Sequence, residues 1–179
     1  MTSPTATATP AAGAPAIPSR KQQFIDTFAM EHEKTRRVVD AYPAEQADLK
    51  PHPRSNSALQ LVWTFSIEER LIAAALEDRL NLGGSFPPAP SSWDDVVSAF
   101  KNSHAQTLAI VQNASDEQFE GTVKFFTGPK KIEDVPKMDF LWFILCDQIH
   151  HRGQLSVYLR MAGGKVPAIY GPSADEPWF

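Results

Sequence analysis

The chain has a single cysteine, Cys146, which excludes an intrachain disulfide and any cysteine-rich zinc site. It has no apolar run approaching the about 18–20 residues of a membrane-spanning helix, so no membrane partner is expected. It also lacks an excess of basic charge: Lys and Arg number 17 against 21 Asp and Glu, a formal net charge of −4. No positive field is available to gather nucleic acid, and the basic pairs Arg36-Arg37 and Lys130-Lys131 read as solvated surface. The first nineteen residues lack the charged start and leucine-rich centre of a secretory leader. These absences lead to the expectation of a cytoplasmic protein. What is present is 42% apolar residues in a chain of 179, enough for one domain with a full core.

Residues 1–19 are almost entirely Thr, Ala, Pro, Ser and Gly. Such a segment buries too little surface to offset its ordering entropy, and it reads as a low-complexity N-terminal arm. From Lys21 to about Ala41, Phe24, Phe28, Val38 and Tyr42 form a helical stripe, closed by Pro43. Glu31, His32 and Thr35 sit where that stripe would continue. Ser55 or Ser57 can cap a second helix reaching about Leu80, with Leu61, Val62, Phe65, Ile72 and Leu76 inward. Gly83-Gly84 and Pro87-Pro88-Ala89-Pro90 form an extended connection. Ser91 and Ser92 stand three residues ahead of Asp94 and Asp95, a start signal for a third helix ending near Ala114. Ser115 to Gln118 suggests a helical turn, Val123 to Phe126 an extended segment, and Gly128-Pro129 a turn. Asp139 is the expected cap of a fourth helix running to about Ala162, with Gly163 as its left-handed stop. Four amphipathic helices, without a strand series able to build a sheet core, predict an all-α fold. The expectation is a four-helix bundle over residues 20–173, with proline-rich N- and C-terminal extensions, the latter at residues 174–179.

The chemistry concentrates in Asp147-Gln148-Ile149-His150-His151-Arg152-Gly153-Gln154. Asp147 and His151 are four residues apart on a helix and so share a face. A carboxylate and an imidazole stacked in an apolar segment form half of a metal or acid–base site, or else a mutually satisfied buried pair. His150, about 100° further round, reads as a surface or interhelix imidazole. Arg152 faces away from that pocket and can pair with an acid on a neighbouring helix. Gly153 costs about 1 kcal/mol relative to alanine within a helix, which suggests a tight helix–helix approach there. Gln154 is placed to orient His151. Cys146 reads as a buried, inert thiol.

His150-His151-Arg152-Gly153-Gln154, Val157-Tyr158-Leu159-Arg160, Gly163-Gly164 and Val166-Pro167-Ala168-Ile169-Tyr170-Gly171 resemble the C-terminal signature of the DinB/YfiT-like family. Pro51-His52-Pro53, Ser57 and the apolar helix containing Glu69 match its second-helix entry. The resemblance implies a DinB-like four-helix bundle. It also implies an interior divalent metal, zinc or nickel, held by one histidine of the second helix and two of the fourth. Some members are thiol-dependent S-transferases. Carried over position by position, the ligands are Thr64, Asp147 and His151, so only the last keeps the family's histidine.

Two readings follow. In the first, the degenerate site is metal-free or binds metal weakly, and Thr64, Asp147, His151 and Gln154 line a small-molecule pocket. In the second, Glu68, one turn after Thr64, completes a carboxylate-rich site with Asp147 and His151, suited to Zn, Mn or Fe. That site would serve a divalent-metal-dependent S-transferase or hydrolase. Glu31, His32 and His104 are further ligand candidates on inner helix faces. A homodimer is the expected assembly.

Overall fold

The structure is a computed structural model that describes residues 17–179, so the expected N-terminal arm lies outside the described residues up to residue 16. The elements run α1 (Arg20–Asp40), α2 (Ala58–Leu76), α3 (Trp93–Asn113), α4 (Asp116–Phe119), β1 (Thr122–Gly128), β2 (Lys131–Pro136) and α5 (Lys137–Met161). Each long helix except α5 starts on a serine that satisfies a free backbone N–H of its first turn. Ser19 accepts from the Gln22 amide, Ser92 accepts from the Asp95 amide, and Ser57 forms a reciprocal capping box with Gln60. Helix α2 stops four residues earlier than expected. Asp78 takes a left-handed φ of 53°, and the Arg79 amide turns back to donate to the Ala74 carbonyl. Helix α5 begins at Lys137, ahead of Asp139, and has no side-chain cap. Asp139 instead pairs with Arg20 at 3.2 Å. Gly163 (φ 80°) ends α5 as expected. Its neighbour Gly164 packs against Leu159, whose buried side chain would have to shift to admit a Cβ there.

Helix α2 packs against α3 and α5, and α1 packs against the same two, closing a ring of four helix contacts. The antiparallel β1–β2 hairpin rests on α5, with Val123 buried and Phe125 edge-on to Phe140 at 4.8 Å. The core is divided. One apolar cluster joins Phe24, Phe28, Ile72, Leu76, Val111, Phe140 and Leu145; a second joins Val38, Leu61, Phe65, Phe100, Leu155 and Leu159. In each of the four helices the residues between the two clusters are polar yet buried: Glu31 and Thr35, Ser66 with Glu68 and Glu69, His104 and Thr107, Gln148 and Arg152. A polar layer therefore crosses the fold at mid-height.

Arg152, only 1% exposed, anchors one side of that layer. Its guanidinium lies 2.7 Å from Glu31 Oε2 and also donates to the Glu31 carbonyl at 3.0 Å. Tyr170, from the exit segment, donates to Glu31 Oε2 at 2.6 Å, and Lys34 pairs with Oε1 at 2.8 Å. Burial pushes the Glu31 carboxyl up, but hydrogen bonds from Lys34, Tyr170 and Arg152 outweigh it and hold the group below its usual value. Arg152 thus meets an acid of α1, as its position in the sequence suggested. The C-terminal segment is tied down in the same manner. Asp175 pairs with Arg160 and accepts the Val166 amide at 2.8 Å; Glu176 accepts the Ala168 amide and bonds Arg37, each at 2.7 Å. Among the described residues, no helix is long and apolar enough to cross a membrane.

Breaking a buried ion pair strands the remaining charge, so Arg152→Met should lower unfolding free energy by roughly 3–5 kcal/mol in urea denaturation. Adding Glu31→Leu should restore much of the loss, and a single-variant loss under about 1 kcal/mol would contradict this account. The tail clasp should depend on pH. Arg160 and the Val166 amide hold Asp175 below its ordinary 3.8, while the Ala168 amide and Arg37 hold Glu176 below 4.5. Depressed folded-state values give stabilisation that is present above these ordinary values and lost as pH falls through the lower, folded ones. Acid titration of the Val166 and Ala168 amide resonances should therefore show midpoints below 3.8 and 4.5 respectively; midpoints at or above them would disprove the clasp.

Candidate metal centre

Glu68 and Glu69 are consecutive on α2 and so project about 100° apart. Each reaches a different neighbour. Glu68, 3% exposed, crosses to α5, where its Oε1 lies 2.9 Å from His151 Nδ1. Asp147, one turn before His151, completes a group whose three ligand atoms lie within 4.8 Å of one another. Glu68 Oε2 is buried and, among the described residues, has no hydrogen-bond partner. Burial pushes the Glu68 carboxyl up to about 7; the His151 hydrogen bond opposes that shift and the Asp147 charge reinforces it. The same hydrogen bond raises His151, against the effect of its burial. A cavity of about 460 Å³ opens beside His151, walled by Leu61, Val157 and Tyr158 on the apolar side and by Asn56 and Gln154 on the polar side.

The structure thus brings together Asp147, His151 and Glu68 but corrects their pairing. His151 Nδ1 bonds Glu68 and not Asp147, because a carboxylate reaching across from α2 meets the ring edge directly. Thr64 is half-buried and stays apart, its hydroxyl donating to the Gln60 carbonyl of its own helix at 3.1 Å. Gln154 lines the cavity with His151, but its amide contacts exposed His150, one turn back, at 2.9 Å. Cys146 is exposed, not buried, on the same solvent-facing side of α5 as Phe143, His150, Gly153 and Val157. Gly153 is exposed too, with open space where a Cβ would sit, so no close helix approach explains it.

On the other side of α2, Glu69 (1% exposed) faces α3 and α1. His104 Nδ1 lies 3.1 Å and His32 Nδ1 3.9 Å from Glu69 Oε1, and among the described residues Glu69 Oε2 completes no hydrogen bond, with the Gln148 side chain nearby. The two imidazoles are stacked, 3.2 Å between centroids and 7° from parallel, with Phe28 against His104 and Phe100 against His32. Burial, with help from His104 and Arg36, pushes His32 down to about 3, so its ring is neutral. Burial likewise pushes the Glu69 carboxyl up, against His104. Sequence reasoning singled out His32 and His104 but not Glu69 as their partner. The available signal was an acidic doublet, Glu68-Glu69, inside an otherwise apolar stretch of helix. Glu31 belongs to neither group, being held by Arg152.

The Glu68, Asp147 and His151 group fits a divalent cation. Two carboxylates and one imidazole are donors of the kind that suit Mn, Fe or Zn, and the unpartnered Glu68 oxygen is a free ligand atom already desolvated.

The DinB family model matches residues 17–178. The chain is 22% identical over 154 residues to an uncharacterized protein, YrdA, of Bacillus subtilis, a match covering 86% of this chain and 89% of that one. A crystal structure of a DinB-like protein from Bacillus cereus superposes with a TM-score of 0.67 at 22% identity, over 83% of this chain and 97% of that one. The DinB-like protein YjoA of Bacillus subtilis gives 0.65 at 21% identity, over 80% and 93%. These likenesses show a mostly helical DinB-like fold, to which the β1–β2 hairpin adds a small two-stranded sheet. With the family match spanning nearly all of its described length, the chain belongs to the DinB family.

Proposed function

We propose that Glu68, Asp147 and His151 hold a divalent cation, Zn, Mn or Fe by donor type, beside a pocket for a small molecule undergoing metal-assisted hydrolysis or thiol transfer. The Glu68 carboxylate carries this reading: it is buried, touches His151 with one oxygen and leaves the other unpartnered. An unpaired buried acceptor costs about 1–3 kcal/mol, so its retention behind His151, which lines the cavity, favours a ligand that uses it. In this reading the four long helices form a bundle, and Glu68 replaces the family's second-helix histidine from one turn beyond Thr64. A carboxylate-rich set favours harder cations than three histidines would. A bound cation would supply Lewis acidity and lower the pKa of a coordinated water or thiol. The chain's own residues shape what reaches it. Leu61, Val157 and Tyr158 offer an apolar wall, Gln154 and Asn56 offer polar contacts, and the Tyr158 hydroxyl fixes that wall by donating to the Asn56 carbonyl at 3.1 Å. The cavity's size is that of a small-molecule site.

The competing reading is the metal-free pair, supported by the direct 2.9 Å Glu68–His151 contact. Calorimetric titration of tag-free, chelator-stripped protein with Zn²⁺ and Mn²⁺ separates the two. Loss of a ligand should exceed the about 10–100-fold effect of disturbing a ligand's supporting partner, so Glu68→Gln and His151→Ala should each abolish this binding event or weaken it at least about tenfold. Unchanged affinity in both variants would leave the metal-free pair. Where metal-dependent turnover of a small thiol or ester is found, Gln154→Ala should raise KM more than it lowers kcat, since that residue lines the cavity without belonging to the ligand set.

A further inference from the structure

The buried group on the far side of α2 is not used by the reading above and does not depend on it. We propose that His32, Glu69 and His104 form a second, closed transition-metal site, zinc by preference, that pins α1, α2 and α3 together. The three ligands come one from each helix, and their ligand atoms lie within 4.8 Å of one another. Atoms about 2.0–2.1 Å from one tetrahedral ion are about 3.3 Å apart, and the measured separations from Glu69 Oε1, 3.1 Å to His104 and 3.9 Å to His32, bracket that value.

Two further observations point to a missing occupant. First, Glu69 is 1% exposed, yet among the described residues its Oε2 completes no hydrogen bond, although the Gln148 side chain is near enough to lower the carboxyl's pKa. Second, no Lys or Arg forms an ion pair with Glu69 among the described residues; its only ionisable partners are the two imidazoles. The Glu31 carboxylate in the same layer, by contrast, is matched by Arg152 and Lys34. A cation accepting both ring nitrogens and the carboxylate would account for the lone carboxylate, and binding it would turn the stacked rings, 3.2 Å apart between centroids, outward to the about 5 Å that two imidazoles on one tetrahedral ion keep.

Two imidazoles with one carboxylate favour a borderline transition cation over Mg or Ca. Phe28 and Phe100 lie against the two rings, so the ion would be held apart from substrate and would serve the fold. This distinguishes it from the Glu68 group, whose histidine faces the cavity.

The test is zinc content by elemental analysis after dialysis of tag-free, chelator-stripped protein against Zn²⁺, with the folded state of each variant confirmed by circular dichroism. Two equivalents are expected in the unaltered chain and one in each of Glu69→Gln, His104→Ala and His151→Ala. One equivalent that is lost in Glu69→Gln but kept in His151→Ala would uphold this site and remove the cavity site. One equivalent with the opposite pattern, or zinc content unaffected by Glu69→Gln, would overturn this inference, as would a zinc-free protein. If the variants fail to fold, imidazole NMR of the unaltered chain decides. Zn²⁺ should shift the His32 and His104 ring resonances with a stoichiometric end point, and invariance of both would refute the site.

Discussion

Three carboxylates buried at mid-height, Glu31, Glu68 and Glu69, constrain everything packed around them. A charge removed from water must be paired, protonated or bound to a cation, and each of these three meets a different arrangement. Glu31 is paired outright by Arg152, Lys34 and Tyr170, and stays ionised despite burial. Among the described residues Glu68 and Glu69 meet imidazoles but no Lys or Arg, and burial raises both. One polar layer thus separates into a structural ion pair and two histidine–carboxylate groups of the kind that bind metal.

The layer also explains how the remainder of the chain is arranged. Apolar clusters above and below it supply the hydrophobic stabilisation that the layer itself does not. The exit segment returns over α1 because Tyr170 must reach Glu31, and Asp175 and Glu176 hold it there through the Val166 and Ala168 amides. Consecutive placement of Glu68 and Glu69 lets a single turn of α2 serve α5 on one side and α1 with α3 on the other, so the two groups share a backbone but not a pocket.

Helix periodicity, serine caps and the Gly163 stop were legible in the residues because they are local: each depends on neighbours within about four positions. The error at the end of α2 was local too, but the one at the start of α5 was not. Asp78 adopted a left-handed conformation that its residue type does not demand, and Asp139 was drawn to Arg20 across the fold. Cys146 and Gly153 were misjudged because an apolar run such as Phe140 to Leu145 does not reveal which of its faces goes uncovered; here that face is the exposed side of α5.

The candidate site shows where this local reading stops. Four-residue spacing placed Asp147 and His151 on one face, and the acidic residue one turn beyond Thr64 suggested Glu68 as a third ligand. Spacing along α5 determined the first of these unaided, since it fixes the angle between side chains of one helix, whereas Glu68 followed from the family resemblance that marked Thr64. Which carboxylate meets His151, and that Glu69 gathers His32 and His104 instead of joining Glu68, depends on the azimuth at which α2 faces its neighbours. Only the packing of four helices around two apolar clusters decides that angle, because the energy that sets it comes from residues distant in the chain.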